Sequence, residues 1–163
     1  MVATSISREQ IFAWLGEVAD PEIPVLSITD LGIVRDVTIN GSVTVALAPT
    51  YSGCPATEVI EQSVLDALHD HGINDVEIER VLSPPWTTDW ITAAGREKLR
   101  EYGIAPPEYG ASKRALLRGE QPIACPRCRS LQTELVSEFG STACKASYKC
   151  SDCLEPFEYF KCI

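Results

Sequence analysis

IVRDVTINGSVTVALAPTYSGCPATEVIEQSVLDALHDHG, residues 33–72, is the stretch whose reading decides the fold. Two β-prone runs flank Asn40-Gly41, the strongest short-range signal for a two-residue hairpin turn. Val43, Val45 and Leu47 alternate with Thr44, Ala46 and Ala48, so one face is apolar and the other small, as expected of a sheet covered by helices. The second strand runs into Pro49 and a Gly53-Cys54-Pro55 turn, and a helix follows. Ala56, Val59, Ile60, Val64, Ala67 and Leu68 fall on one side of that helix, with Glu58, Glu61, Gln62 and Asp66 opposite. Pro55 suits the first helical position, which places Cys54 at or next to the N-cap, near the positive end of the helix dipole. That setting lowers a cysteine pKa and makes a thiol a nucleophile or a metal ligand; the other reading of Cys54 is a small buried hydrophobe.

Upstream, SISREQIFAWLGEVAD has Ser7 three residues before Gln10, the spacing of a capping box, and Ile11, Leu15 and Val18 on one helical face. This predicts a first helix that stops at Asp20-Pro21. DPEIPVLSITDLG is then a turn-rich connector, in which composition alone reads Asp20, Glu22 and Asp30 as solvated charges. Downstream, Gly72 should end the central helix, with His69 and His71 in its last turn as cations or caps rather than ligands. VEIERVL alternates as a third strand with Val76, Ile78 and Leu82 on one side, and SPPW breaks it. A third helix is predicted over 88–102, with Ile91, Ala94, Leu99 and Tyr102 on one face and Gly103 as its stop. Trp86 and Trp90, which bracket its start, read as packing residues.

Residues 105–122, APPEYGASKRALLRGEQP, separate two regions: prolines and glycines enclose a short basic-apolar segment with Lys113, Arg114 and Arg118, a linker or docking strap. The expected division is therefore an α+β domain over 1–104, a linker, and a cysteine-rich domain over 123–163. In that tail Cys125-Pro-Arg-Cys128 and Cys150-Ser-Asp-Cys153 are two C-x-x-C pairs with 21 residues between them, close to the spacing of a four-cysteine zinc ribbon. Four thiolates satisfy a tetrahedral ion and leave no open position, so the metal is structural. Zinc is the first choice; a single iron or a cluster uses the same ligands. TELVSEF and KASYK, between the pairs, read as the ribbon's strands. Cys144 and Cys162 are left over: ordinary buried thiols first, with spare ligands or a redox pair as the other readings.

The composition bounds the function. A chain of 163 residues with 45% hydrophobic content can hold one ordinary domain and a small appendage. The formal charge of −9 excludes a general nucleic-acid or anionic-membrane binder. The acidic excess lies in residues 1–120, with nine Lys and Arg against 18 Asp and Glu, whereas residues 121–163 hold five of each. With no basic patch, the ribbon reads as a protein-docking module. The chain has neither a leader pattern nor a bilayer-length apolar run, so it is expected in the cytoplasm, where clustered cysteines hold metal rather than disulfides.

DPEIPVLSITDLGIVRDV, PTYSGCPATEVI and the strand ending in SPPW, in this order, resemble the MIP18 (domain of unknown function 59) family, linked to iron–sulfur cluster assembly. With SEFGSTACKASYKCSDCLEPFEYFKCI added, the likeness extends over nearly the whole chain to the family of D subunits of bacterial phenylacetyl-CoA epoxidase (phenylacetate-CoA oxygenase) systems. The elements read from the chain give an α+β fold, a small three-stranded sheet with helices packed on it, followed by a four-cysteine zinc ribbon. The resemblance implies an accessory or maturation role in aerobic phenylacetate breakdown, with no active site of its own. It puts Cys54 in the family's reactive position and Asp20 in its acidic motif, with Thr50 and Ser52 lining the same loop. The implied partners are the oxygenase and reductase subunits and the iron–sulfur assembly machinery. One cysteine cannot hold a cluster alone, so transient iron or a cluster at Cys54 would need a homodimer or a mixed site with a client. Two other readings stand beside it: a non-catalytic docking subunit, and an enzyme with Cys54 as nucleophile, for which the distant histidines are poor bases.

Overall fold

The structure is a computed structural model and describes residues 6–110 and 122–161. It divides into two compact units, Met1–Trp86 and Thr87–Ile163. In the first, α1 (Arg8–Leu15) starts at the expected capping box: Ser7 Oγ accepts from the Gln10 N–H, and the Gln10 side chain accepts from the Ser7 N–H at 2.9 Å. The helix is shorter than predicted. The chain leaves it at Gly16 because residues 18–20 are drawn into an extended pairing with residues 26–28, where the Asp20 N–H donates to Leu26 O (2.8 Å) and the Ile28 N–H to Val18 O (3.0 Å). Val18 stays buried, but in this turn rather than on a helix.

The connector is not a strip of solvated charge. Asp20 and Asp30 are buried, at 6% and 9% exposure, since each holds backbone amides that would otherwise be unpaired. Asp20 Oδ1 accepts from the N–H groups of Glu22 (2.9 Å) and Ile23 (2.8 Å). Asp30 and Ser27 cap each other reciprocally, the Ser27 N–H donating to Asp30 Oδ2 (3.1 Å) and the Asp30 N–H to Ser27 Oγ (3.0 Å).

β1 (Val34–Asn40) and β2 (Ser42–Leu47) form the hairpin around Gly41, which has φ +87 as the turn requires. α2 (Ala56–Asp70) then crosses back, and β3 (Val76–Arg80) pairs parallel to β2, with order β1-β2-β3. In the register Val43 faces Val76, Val45 faces Ile78 and Leu47 faces Arg80. The face bearing Val37, Val43, Val45 and Leu47 is buried, while Thr38 on the other face is exposed. α2 buries Ala56, Ile60, Val64 and Leu68; Val59, expected among them, is 52% exposed. β3 ends at Arg80, and Leu82 beyond it is 65% exposed rather than part of an apolar strand face. Trp86 is a packing residue, buried, with its indole N–H on Leu31 O at 2.9 Å.

In the second unit the helix predicted over 88–102 is two pieces, a 3₁₀ turn at Thr88–Trp90 and α3 (Ala93–Tyr102). Thr92 interrupts them as an N-cap, its Oγ1 accepting from the Gly95 N–H at 3.0 Å; Tyr102 is exposed, not inward. Gly103, at φ +91, ends α3 and leads into β4 (Ile104–Ala105). β4 pairs parallel with β7 (Pro156–Phe160), which pairs with β6 (Lys145–Cys150), which pairs with β5 (Thr133–Ser137). This pairing sets α3 and β4 with the ribbon, whereas the sequence reading had put them in the first domain. The proposed strap residues Lys113, Arg114 and Arg118, and Cys162, lie outside the described residues.

Candidate functional site

Two sets of cysteines are placed by different devices. Cys54 sits where β2 hands over to α2. Gly53 takes φ +78, a conformation that suits glycine, and turns the chain so that the Cys54 N–H donates to Tyr51 O (3.3 Å) while Cys54 O accepts from the Thr57 N–H (3.2 Å). Pro55 is the N-cap of α2, already with helical φ and ψ, and offers no side-chain cap. Cys54 is thus the residue just before the cap, a half-buried free thiol at the helix's positive end. Ser52, Gly53 and Pro55 are exposed and Thr50 half-buried, so the turn faces solvent. A Cβ built on Gly53 would meet nothing within 4 Å.

The two histidines are far from this thiol. α2 has 15 residues, about 22 Å at 1.5 Å per residue, and His69 and His71 lie at its other end. The His71 ring stacks on Trp14 with centroids 4.1 Å apart, a packing role that removes it as a base for Cys54. Asp20 is committed to its own loop through the two amides it holds.

The second set is a cluster. The Sγ atoms of Cys125, Cys128, Cys150 and Cys153 all lie within 4.8 Å of one another; among the described residues this is the one group of three or more potential metal ligands. Cys125 and Cys153 are 3.7 Å apart and Cys128 and Cys150 3.6 Å. A regular tetrahedron with Zn–S bonds of about 2.3 Å has edges of about 3.8 Å, so the donors fit a tetrahedral ion. The two knuckles are built alike. The Cys125 N–H donates to Ser130 O and the Cys150 N–H to Glu155 O, each at 2.9 Å, and the residue after each second cysteine, Arg129 or Leu154, has positive φ (66 and 61). Side chains tie one knuckle to the other: Arg127 to Glu155 (2.7 Å), and Ser130 Oγ to Asp152. These ties were not foreseen because they join residues 28 and 22 positions apart, and the knuckle turns were hidden because their positive-φ positions carry Arg and Leu rather than glycine.

The electrostatics of the cluster call for a cation. The backbone N–H of Cys153, and less strongly that of Asp152, lower the Cys150 thiol to about 7. Cys128 accepts from the Ser130 N–H, which lowers it, yet lost hydration and the neighbouring thiols of Cys153, Cys150 and Cys125 outweigh this and push it up to about 12. Four thiols this close cannot all ionise without a central positive charge. Around them Cys125, Cys150, Ala105 and Phe157 form a small core, joined by Ile123, Tyr148 and Tyr159. Cys144, predicted as a buried thiol, is buried at 4% exposure and lies outside the cluster. No helix among the described residues is long and apolar enough to cross a membrane.

Comparison with known proteins matches the two units separately and together. Residues 8–80 match the family described as iron-sulfur cluster assembly protein, and residues 110–161 the PaaD zinc beta ribbon domain. A protein of Escherichia coli (strain K12) described as the D subunit of a 1,2-phenylacetyl-CoA epoxidase is 54% identical over 155 residues, 94% of this chain and 92% of that one. An Fe-S protein maturation auxiliary factor of Bacillus subtilis (strain 168) is 38% identical over 85 residues, 50% of this chain and 82% of its own. Among solved structures, a DUF59 domain from Bacillus anthracis superposes with a TM-score of 0.53 at 28% identity, over 56% of this chain and 90% of that one. A conserved hypothetical protein from Thermotoga maritima does so with 0.50 at 31% identity, over 58% and 94%.

Proposed function

Because the chain belongs to the family of phenylacetyl-CoA epoxidase D subunits, which join an iron-sulfur assembly domain to a zinc ribbon, we propose that it is a cytoplasmic maturation subunit of such an epoxidase, handling iron or an iron–sulfur cluster for the complex. The observation that carries this reading is the Gly53-Cys54-Pro55 turn, which presents one free, half-buried thiol at an open helix N-terminus. A thiolate there is a ligand without companions. Among the described residues Cys54 belongs to no group of three metal donors, and in this reading a client or a second copy supplies the remaining ligands. Such a site suits cargo that is passed on, because a client's ligands displace a single thiolate more easily than four. The transfer is a ligand exchange: the Cys54–iron bond breaks as a client–iron bond forms, with no change of oxidation state required.

The other residues have supporting parts. Thr50 and Ser52 line the same turn, and in this reading their hydroxyls support the thiolate. In this reading Asp20 positions the connector before β1, its Oδ1 accepting from two amides. Cys125, Cys128, Cys150 and Cys153 hold a structural zinc, which supplies folding free energy to the ribbon and no open position for chemistry. The clients are the oxygenase and reductase subunits of the epoxidase. The test is the iron content of those subunits isolated from cells that carry wild type, Cys54→Ala or no copy of this protein. Iron in the Cys54→Ala cells should fall to the level of cells without the protein; iron at the wild-type level would end this reading.

A further inference from the structure

Residues 81–109 lie between the two regions matched to known families, 8–80 and 110–161. Within that stretch a cation is buried with only part of its hydrogen-bonding capacity used. Arg96, the fourth residue of α3, is 7% exposed. Its Nη2 donates to Thr88 O at 2.6 Å, but Nε and Nη1 are buried and have no hydrogen-bond partner. Two acids of the same stretch are engaged elsewhere: Glu97 pairs with Arg100, and Asp89 Oδ1 accepts from the Gly110 N–H at 2.6 Å. A guanidinium buried without acceptors has lost the water that solvated it and gained nothing in return, so two orphaned donors on one side chain call for a ligand.

The surroundings of those donors give them a direction and a cover. The Arg96 side chain runs back past the N-cap Thr92 to Thr88, so its head lies toward the N-terminal end of α3, where the helix dipole is positive. The first turn of α3 carries no acid to answer that charge. One face of the guanidinium is covered by the Tyr109 ring, with Cζ 3.8 Å from the ring centroid. This contact occupies the face and leaves the N–H groups, which lie in the guanidinium plane, for another partner. Tyr109 is 56% exposed, so an outward turn of its ring meets solvent rather than packed core.

We infer that Arg96 and the start of α3 form a binding site for an oxyanion, a carboxylate or phosphate group that accepts from Nε and Nη1 beside the Tyr109 ring. The guanidinium and the positive helix end select an anion, and the planar N–H donors select oxygen acceptors. The ring keeps water from competing for the donors, which strengthens each bond in a site of low dielectric. The site uses neither Cys54 nor the four-cysteine cluster, and the inference stands whether or not Cys54 handles iron.

The test titrates the full, metal-loaded chain, labelled with nitrogen-15, with sodium phosphate and separately with sodium acetate at constant ionic strength. The Arg96 Nε–H resonance should shift saturably, with a dissociation constant on the order of 1 mM; a response to phosphate marks a phosphate-bearing ligand, and a response to acetate alone a carboxylate. Arg96→Lys keeps the charge but loses the planar donors and should weaken binding about tenfold, read as loss of the anion-induced rise in melting temperature. Should Arg96→Lys not fold, Tyr109→Ala changes only an exposed ring and should weaken binding about threefold by letting water reach the donors. No saturable shift with either anion up to about 50 mM, or equal anion-induced stabilisation of wild type and the variants, would overturn the inference and leave Arg96 a packing residue.

Discussion

Replacing Asp20 by alanine tests whether the acidic motif is structural. In the native chain one oxygen, Oδ1, accepts from two amides, Glu22 N at 2.9 Å and Ile23 N at 2.8 Å, and the side chain is 6% exposed. Alanine leaves both donors without that acceptor, and Ile23 is itself buried at 1% exposure, so water replaces little of the loss. Each unsatisfied donor costs about 1–3 kcal/mol, and allowing for relaxation of the loop the total is about 2–4 kcal/mol. For a unit of this size that lowers the melting temperature by roughly 10–30 °C. Asparagine keeps an oxygen at the Oδ1 position and should cost about 1 kcal/mol, the charge-assisted part of the bonds. The assay is thermal unfolding followed by near-ultraviolet circular dichroism, with hydrogen exchange at the Glu22 and Ile23 amides as the local readout. Asp20→Ala within about 0.5 kcal/mol of wild type, with both amides still protected, would refute the reasoning and return Asp20 to the candidate cargo ligands.

Removing the metal with a strong chelator should unfold β5 to β7 and leave the helical signal of α1 and α2. Metal binding in comparable sites contributes on the order of 10–16 kcal/mol, which the small core of Ala105, Cys125, Cys150 and Phe157 cannot replace; retained protection of Tyr148 and Phe157 amides after chelation would contradict this. Glu158 has a pH signature. Its carboxyl loses hydration on burial, which raises its pKa, but the Ser141 N–H and hydroxyl and the Lys145 ammonium together lower it below the usual value. A depressed folded-state pKa gives stability that is present above the unfolded value of about 4.3 and is lost as pH falls through the folded value. The metal-loaded ribbon should therefore lose stability below about pH 4 more steeply in wild type than in a Glu158→Gln variant, read by the slope of melting temperature against pH; equal slopes would exclude Glu158.

What the sequence disclosed was the local chemistry. The Asn40-Gly41 turn, the Ser7/Gln10 capping box, the Gly53-Cys54-Pro55 junction and the two C-x-x-C pairs each depend on residues within a few positions of one another. The errors came where distant partners decide. The connector acids looked solvated because their acceptor role depends on how residues 20–30 fold back on themselves. β4 was missed because two residues form a strand only when β7 is there to pair with. Val59 was placed inside because it neighbours Ile60, yet at about 100° per residue it lies about 120° from the centre of the arc set by Ala56, Ile60, Val64 and Leu68.

The most direct measurement is metal and acid-labile sulfide analysis of protein purified without oxygen, wild type beside Cys54→Ala. The account predicts about one zinc per chain in both, from the four clustered cysteines, with additional iron in the wild type alone. Iron at equal levels in both proteins, or iron in place of zinc within the cluster, would contradict the division of labour between Cys54 and the ribbon.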